Sequence, residues 1–251
     1  MLADLRYALR LFARSPLFTA AVVLVLGLGV GASTTVFTLV DAYLLRPLPF
    51  PEPERIVSVW RTRREGSAHN PFSQLDFLDL KEQATSFERL AIVGSVGANL
   101  SGGGAGGEAA AEHVVGSKVS ADYFPALGAG AALGRVFTAD EDRPGRDQVV
   151  VLSDELWRRR FGADPGAVGK TVSLDGVPHQ IVGVMPASFR MSTNLGSTGT
   201  AGFWRPAGFD RETARPRGWH SWNVVGRLKP GVTLAGADAE VRGIAKRLEQ
   251  A

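Results

Sequence analysis

The chain has 251 residues, 45% of them hydrophobic, which is enough for one large or two small domains with their own cores. Its 28 Lys and Arg residues nearly balance 25 Asp and Glu residues, and the arginines are spread along the sequence, so the charge does not indicate nucleic-acid binding. The absence of cysteine excludes disulfides, thiolate metal sites and cysteine nucleophiles, but it identifies no cellular compartment.

The first predicted element is a short amphipathic helix at the N-terminus. Arg6, Arg10 and Arg14 recur every four residues, and this spacing places them on one helix face, as in helices that lie at lipid headgroups. Pro16 marks the end of the segment. We therefore expect residues 1–16 to be cytoplasmic, with the three arginines anchored at the membrane surface.

A membrane-spanning helix is predicted next, within residues 17–45. No charged residue occurs from Ser15 to Val40, and a helix over residues 17–40 would be about 36 Å long, against a hydrocarbon thickness of about 30 Å. A buried core helix and a cleavable signal peptide are the alternatives. Val30-Gly31-Ala32 fits a cleavage site, but the apolar pattern continues beyond it and favours an anchor.

The flanks of this span indicate its orientation and its packing. Three arginines precede the span, whereas acidic and basic residues are mixed after it, so the N-terminus is expected in the cytoplasm and the rest of the chain outside. Gly27, Gly31 and Thr35 stand four residues apart and would form a face of small residues on which another helix can pack.

The remainder of the chain is predicted to be one extracytoplasmic α+β core domain. Residues 46–55 contain four prolines and are expected to be an extended connector that is not helical. Over residues 56–251, predicted strands alternate with helices, but hairpins interrupt them. This pattern favours an antiparallel or mixed sheet over a doubly wound parallel one.

Local signals place particular elements in this domain. Ser73 followed by Asp76 predicts the start of a helix that runs to about Leu90. A second helix is expected between Ser153 and Gly162, and the sequence Asp175-Gly176 predicts a tight turn between two strands. Further strands are predicted over residues 56–60, 91–100, 109–120, 149–152, 171–174, 177–185 and 222–228, with a short helix before Gly128 and a final helix with an apolar face of Leu234, Ala237, Val241, Ile244, Ala245 and Leu248.

No local motif predicts catalysis or a bound cofactor. Gly169-Lys170-Thr171 matches the end of a phosphate-binding loop, but Asp164 stands where that motif needs glycine. A helix is predicted before it and a strand after it, the reverse of the required order. The four histidines lie in four different segments without a partner at metal-ligand spacing. We therefore predict no catalytic, cofactor-binding or metal site.

Two acidic groups are interpreted as solvated surface. The loop over residues 140–147 holds four carboxylates, but its spacing does not match a calcium-binding EF-hand and two arginines lie among them. Asp76, Asp79 and Glu82 stand three residues apart, as on any wet helix face.

Taken together and in order, these segments resemble the permease family of macrolide-exporter-type, or MacB-like, ABC transporters, especially its branch of duplicated orphan permeases. Residues 196–219 match least. The matching stretches are DLRYALRLFARSPLFTAAVVLVLGLGVGASTTVFTLVDAYLLRPLPFPEPERIV, VSADYFPALGAGAALGRVFTADEDRP, VVVLSDELWRRRFGADPGAVGKTVSLDGVPHQIVGVMPASF and VVGRLKPGVTLAGADAEVRGIAKRLE.

The resemblance implies a first transmembrane helix in the cell inner membrane, followed by a periplasmic core domain with porter-like β-α-β units and an inserted subdomain. It implies an ABC ATPase subunit, further permease helices or a second permease copy, and the lipid bilayer as partners. The implied role is to couple ATP hydrolysis in a separate subunit to motion of the outer domain, for export or mechanotransmission. A membrane-anchored binding or sensor module without an ATPase is the alternative.

The resemblance also bears on the C-terminus. The family's later membrane helices would follow Ala251. We therefore expect an N-terminal fragment whose core domain is incomplete at its C-terminus.

Overall fold

The computed structural model describes residues 16–40, 50–61, 70–103, 110–190 and 200–250. The chain forms two compact units, Met1–Leu48 and Pro49–Ala251. The predicted amphipathic segment with Arg6, Arg10 and Arg14 lies outside the described residues, as do residues 41–49. The domain boundaries drawn from the sequence stay predictions.

Helix α1, Pro16–Val40, is the described part of the first unit. Its stretch Pro16–Thr38 is long and apolar enough to cross a membrane, and none of its most apolar part is buried. The predicted helix is confirmed. The choice between a permanent anchor and a cleaved signal peptide stays a prediction, because both share this composition.

The second unit is built on one mixed sheet, which has nine strands among the described residues. The strands are β1 Ile56–Val59, β2 Phe87–Ser101, β3 Glu112–Val119, β4 Leu133–Gly134, β5 Val149–Leu152, β6 Thr171–Leu174, β7 Val177–Val184, β8 Phe203–Pro206 and β9 Asn223–Leu228. The helices are α2 Gln74–Gln83, α3 Tyr123–Leu127, α4 Asp154–Phe161 and α5 Leu234–Gln250. Parallel pairs β3–β8 and β5–β7 occur among antiparallel ones, so the predicted α+β class is confirmed.

The strand order is β1-β9-β2-β3-β8-β5-β7-β4, with β6 paired to both β2 and β7. The 15-residue strand β2 runs through both halves of the domain: its first part, Phe87–Val93, pairs with β9, and its second part, Val93–Leu100, pairs with β3. The strands β2, β3, β8, β5, β7 and β6 each pair with the next and close into a ring. Each strand of this ring therefore has a neighbour on both sides among the described residues, and the two-residue strand β4 lies outside the ring at the end of the order.

Apolar side chains fill the ring, while the other half is layered. The core of the ring contains Leu100, Val150, Leu152, Val172, Leu174, Ile181 and Phe203, to which helix α4 adds Leu156 and Phe161. In the layered half, α2 and α5 cover one face of β1, β9 and β2, and α3 covers the opposite face. Neighbouring residues of a strand point to opposite faces of the sheet. On β2, Ile92 therefore packs in the core beneath α2 and α5, whereas Val93 packs in the core beneath α3.

Several predicted boundaries are confirmed. The hydroxyl of Ser153 accepts a hydrogen bond from the Leu156 amide at the start of α4, and Gly162 ends the helix at φ 61°. Asp175 and Gly176 turn the β6–β7 hairpin with φ of 53° and 85°, the left-handed backbone that such a tight turn requires.

Three predicted details are wrong. Ser73 caps α2 as expected, but the helix ends at Gln83, because the residues from Phe87 onward pair with β9 and belong to β2. Pro53–Arg55 forms a turn of 3-10 helix where an extended connector was predicted. On α5, Ala237 and Ile244 are buried as expected, whereas Leu234 and Ala245 are exposed.

Candidate functional site

The described part of the predicted connector, residues 50–55, packs on the core domain. Phe50 is 9% exposed, and its ring centroid lies 5.8 Å from that of Phe189. Glu52 has a left-handed backbone, φ 49°, directly before Pro53, a conformation that is disfavoured for a side-chain-bearing residue before proline. Surrounding contacts must therefore hold this bend in place.

The guanidinium of Arg227 on β9 supplies one such contact. The residue is 5% exposed. Its Nε donates to the carbonyl of Ala126 at 2.8 Å, and its Nη2 donates to the carbonyl of Pro51 at 3.1 Å. Ala126 lies in the last turn of α3, where carbonyls lack a partner within the helix. One buried cation thus joins the connector, α3 and β9.

Arg55 makes a second attachment from the connector itself. Its Nε donates to the carbonyl of Leu228 at 2.9 Å, its Nη1 donates to Glu52 at 2.7 Å, and its Nη2 pairs with Glu88. Leu228 ends β9 and Glu88 lies at the start of β2. The connector is therefore bonded to both strands at the centre of the layered half. We call Arg55 and Arg227 with these partners the connector clamp.

Helix α5, the last described element, is attached to the same region through Glu240. One carboxylate oxygen accepts from the amide of Thr85 at 2.7 Å and from its hydroxyl at 2.6 Å, and the other accepts from the amide of Ser86 at 3.0 Å. Burial raises the pKa of Glu240, but these hydrogen bonds outweigh it and lower the pKa from 4.5 to about 2. Residues 85 and 86 lead directly into β2, so the connector and α5 are both attached at the start of this strand.

The interpretation of the acidic face of α2 as solvated surface is wrong for Asp79. Asp79 is 7% exposed and is not solvated surface. Arg211 lies 2.8 Å from one of its carboxylate oxygens and Arg217 lies 2.6 Å from the other. Burial raises the pKa of Asp79, but the two guanidinium groups outweigh it and leave the pKa below its ordinary value. These pairs join α2 to the segment that resembles the family least.

One carboxylate of the acidic loop is also less solvated than expected. Asp142 accepts hydrogen bonds from the amides of Ala121 at 2.8 Å and Gly208 at 3.0 Å, so it connects two neighbouring segments of the domain. Burial raises the pKa of its carboxyl. Within the described ranges, no group of three or more His, Cys, Asp or Glu side chains could hold a metal ion.

The segment that resembles a phosphate loop has the element order expected from the sequence. Helix α4 precedes it, and Thr171 begins strand β6. The Lys170 ammonium lies 2.9 Å from the Asp164 carboxylate, and both side chains are about half exposed. Backbone amides at a helix start, which a P-loop needs, do not follow this lysine.

On α1, the small-residue face is open. A Cβ atom at Gly27 or Gly31 would meet no atom within 4 Å. The Thr35 hydroxyl donates to the Gly31 carbonyl at 2.8 Å, so its polar group is satisfied within the helix. Helix packing at Gly27, Gly31 and Thr35 stays a prediction.

Replacing Arg227 tests the connector clamp. The substitution Arg227→Met keeps a long side chain but leaves two carbonyl groups without donors, so we expect the free energy of unfolding to fall by about 3 kcal/mol. All five tryptophans lie outside the membrane span, so their fluorescence during urea unfolding in detergent reports on the core domain. The matched control is Arg242→Met, which removes an exposed pair with Asp238 and should change stability by less than about 0.5 kcal/mol. Equal effects of the two substitutions would contradict the clamp.

Replacing Glu240 should give a pH-dependent loss of stability. A carboxyl whose pKa is lowered by folding stabilises the native state above its unfolded pKa of about 4.3, and this stabilisation disappears as the pH falls toward about 2. We expect Glu240→Gln to destabilise the domain near neutral pH and the difference from the unsubstituted chain to shrink below about pH 4. Urea unfolding across this pH range measures it, with the exposed Glu212→Gln as control. A difference that did not change with pH would refute the role given to this carboxylate.

Comparison with known proteins identifies the family of this chain. The sequence model of the MacB-like periplasmic core domain matches residues 19–244. The macrolide export ATP-binding/permease protein MacB of Shigella dysenteriae serotype 1 is 30% identical over 125 residues, which cover 49% of this chain. The chain spans only 18% of the length of that relative.

Solved structures share the fold of the domain. The periplasmic region of MacB from Actinobacillus actinomycetemcomitans matches with a TM-score of 0.54 and 18% identity, over 77% of this chain and 84% of the other. The extracellular domain of the noncanonic ABC-type transporter YknZ from Gram-positive bacteria matches with a TM-score of 0.55 and 14% identity, over 77% of this chain and 95% of the other.

The family match begins within α1 and extends to Ile244 in α5, so it includes part of the apolar helix and nearly all of the core domain. Since it covers far more than half of the sequence, the chain belongs to the MacB-like periplasmic core domain family of ABC transporter permeases.

Proposed function

We propose that this chain is the first membrane helix and the extracytoplasmic core domain of a permease subunit, and that the domain moves when a separate ABC ATPase subunit hydrolyses ATP. The observation that carries the proposal is the family match over residues 19–244, which covers part of the apolar helix together with nearly all of this domain. The fold of the domain supports it, because two solved domains of transporters share that fold.

The connector clamp supports a mechanical role for the domain. Only nine residues separate the end of α1 from Phe50, and Phe50 is already part of the domain core. A displacement of the membrane helix would pull on a segment that Arg227 and Arg55 bond to β9 and β2. Strand β2 continues into the ring, so the displacement would reach both halves of the domain.

In the same proposal, the N-terminus lies in the cytoplasm and the core domain lies outside the inner membrane. Arg6, Arg10 and Arg14 would anchor the cytoplasmic surface, since positive residues are retained on that side. The small-residue face of Gly27, Gly31 and Thr35 would pack against further permease helices or a second permease copy.

Assembly of the transporter should depend on the small-residue face of Gly27, Gly31 and Thr35. We expect an ABC ATPase to co-purify with the tagged full reading frame from its own host in mild detergent. The substitution Gly27→Leu with Gly31→Leu adds bulk at a close helix contact, so it should reduce the ATPase yield several-fold. Gly29→Leu is the matched control, because Gly29 lies on the opposite side of the helix and is equally open. Mass spectrometry of the purified complex measures the yield.

The outcomes separate the proposal from its alternative. If no ATPase co-purifies with the unsubstituted protein, a membrane-anchored binding or sensor module is favoured. A phosphatase reporter fused after Ala251 should be active outside the membrane, and a cytoplasmic reporter would refute the orientation. Equal loss of the ATPase in the Gly29→Leu control would show that the small-residue face is not the contact.

A further inference from the structure

Two positively charged side chains lie next to each other where the ring meets the layered half. Lys118 on β3 and Arg205 on β8 are direct partners in the parallel register of these strands. Residues paired in this way point to the same face of the sheet, and neighbouring strands lie about 4.8 Å apart. On that face, Phe203 of β8 is inside the core of the ring, and Ile92 of β2 is inside the core beneath α2 and α5. Lys118 and Arg205 therefore stand at the boundary between two apolar cores.

Neither cation is neutralised by a direct contact. Among the described residues, Lys118 and Arg205 form no ion pair or hydrogen bond through their side chains, and the Nε of Arg205 is buried without an acceptor. Both side chains are partly buried, and burial lowers the pKa of each, with Arg205 adding to the effect on Lys118. Two like charges at one partly desolvated position are unfavourable unless an anion joins them.

The surrounding side chains provide little negative charge to offset Lys118 and Arg205. Asp147 interacts electrostatically with both cations and Asp175 with Arg205, but neither carboxylate lies within ion-pair distance, while Arg215 adds a third positive charge near Lys118. Asp175 is also engaged by the amide and side chain of Asn99. Three positive charges in this region thus face two carboxylates, neither of which forms an ion pair with Lys118 or Arg205.

The other neighbours of the pair do not supply negative charge either. His179 is buried, and burial lowers its pKa, with the charges of Arg205 and Lys118 acting in the same direction. Its Nδ1 lies 2.9 Å from the Val177 carbonyl. Gly94 is the partner of Lys118 on β2 and contributes no side chain to this face. The ring of Trp222 lies against Gly94 instead.

We propose that Lys118 and Arg205 together bind a phosphate-type oxyanion at this boundary. A guanidinium presents planar, directed donors that match phosphate oxygens, and an ammonium beside it adds a point charge. A dianion shared between the two side chains would offset their positive charges and relieve their repulsion. Because the ligand would touch strands at the point where the ring joins the layered half, its binding would stiffen that junction.

Calorimetric titration of the full chain in nonionic detergent tests the proposal, with sodium phosphate as the probe and sodium chloride of equal ionic strength as the reference. We expect Lys118→Gln and Arg205→Gln each to weaken phosphate binding about tenfold or more, as for loss of a charged hydrogen bond. Asp147→Asn should tighten binding, since a competing negative charge is removed. The control is Lys229→Gln, which removes one exposed positive charge and should leave the affinity unchanged.

A second measurement distinguishes binding at this place from general charge screening. A bound dianion near His179 should raise the pKa of its imidazole in NMR titrations, and this rise should be absent in Arg205→Gln. A titration with short-chain phosphatidic acid separates a lipid headgroup source from free phosphate, because only a lipid site binds it more tightly than inorganic phosphate. No heat above the chloride reference, or equal affinities in Lys118→Gln, Arg205→Gln and Lys229→Gln, would overturn the proposal.

Discussion

The buried guanidinium of Arg227 determines how the polypeptide enters the core domain. A charged group at 5% exposure must keep its hydrogen-bond partners, because losing one leaves a desolvated donor unsatisfied. Its partners are carbonyl groups of Pro51 in the connector and Ala126 in α3. Neither segment can move away from β9 without breaking such a bond. The unfavourable backbone of Glu52 persists because this contact and those of Arg55 outweigh it.

The continuity of β2 extends this constraint to the whole domain. The same 15 residues pair with β9 in the layered half and with β3 in the ring, so the two halves share one backbone. Glu240 fixes α5 to the corner just before β2. The connector, helix α5 and the ring are therefore all joined to a single strand.

Local features of the domain were predictable, and long-range ones were not. The start and end of α4 followed from Ser153 and Gly162, and the β6–β7 turn followed from Asp175-Gly176, because these residues act on the backbone next to them. The end of α2 was misplaced because pairing with β9, more than a hundred residues later, decides the conformation of Phe87–Leu90.

The connector clamp and the acidic face of α2 show the same division between local and distant signals. The sequence suggested a connector from its prolines, but Arg227 carried no signal, since its partners lie 101 and 176 residues away. The helical spacing of Asp79 predicts a solvated side chain, because it does not reveal Arg211 and Arg217, which cover the carboxylate. Ring closure likewise depends on pairing between β2 and β6.

Native-state hydrogen exchange tests most directly whether the connector is fastened to the core domain. The Arg55 amide donates to the Glu52 carbonyl at 3.0 Å and reports on the connector, and the amides of Asn223–Leu228 report on β9. If the clamp makes them one cooperative unit, the Arg55 amide and the protected β9 amides open with free energies that agree within about 1 kcal/mol. If the Arg55 amide instead exchanges through a local opening whose free energy is far below that of the β9 amides, the connector is not fastened to the domain.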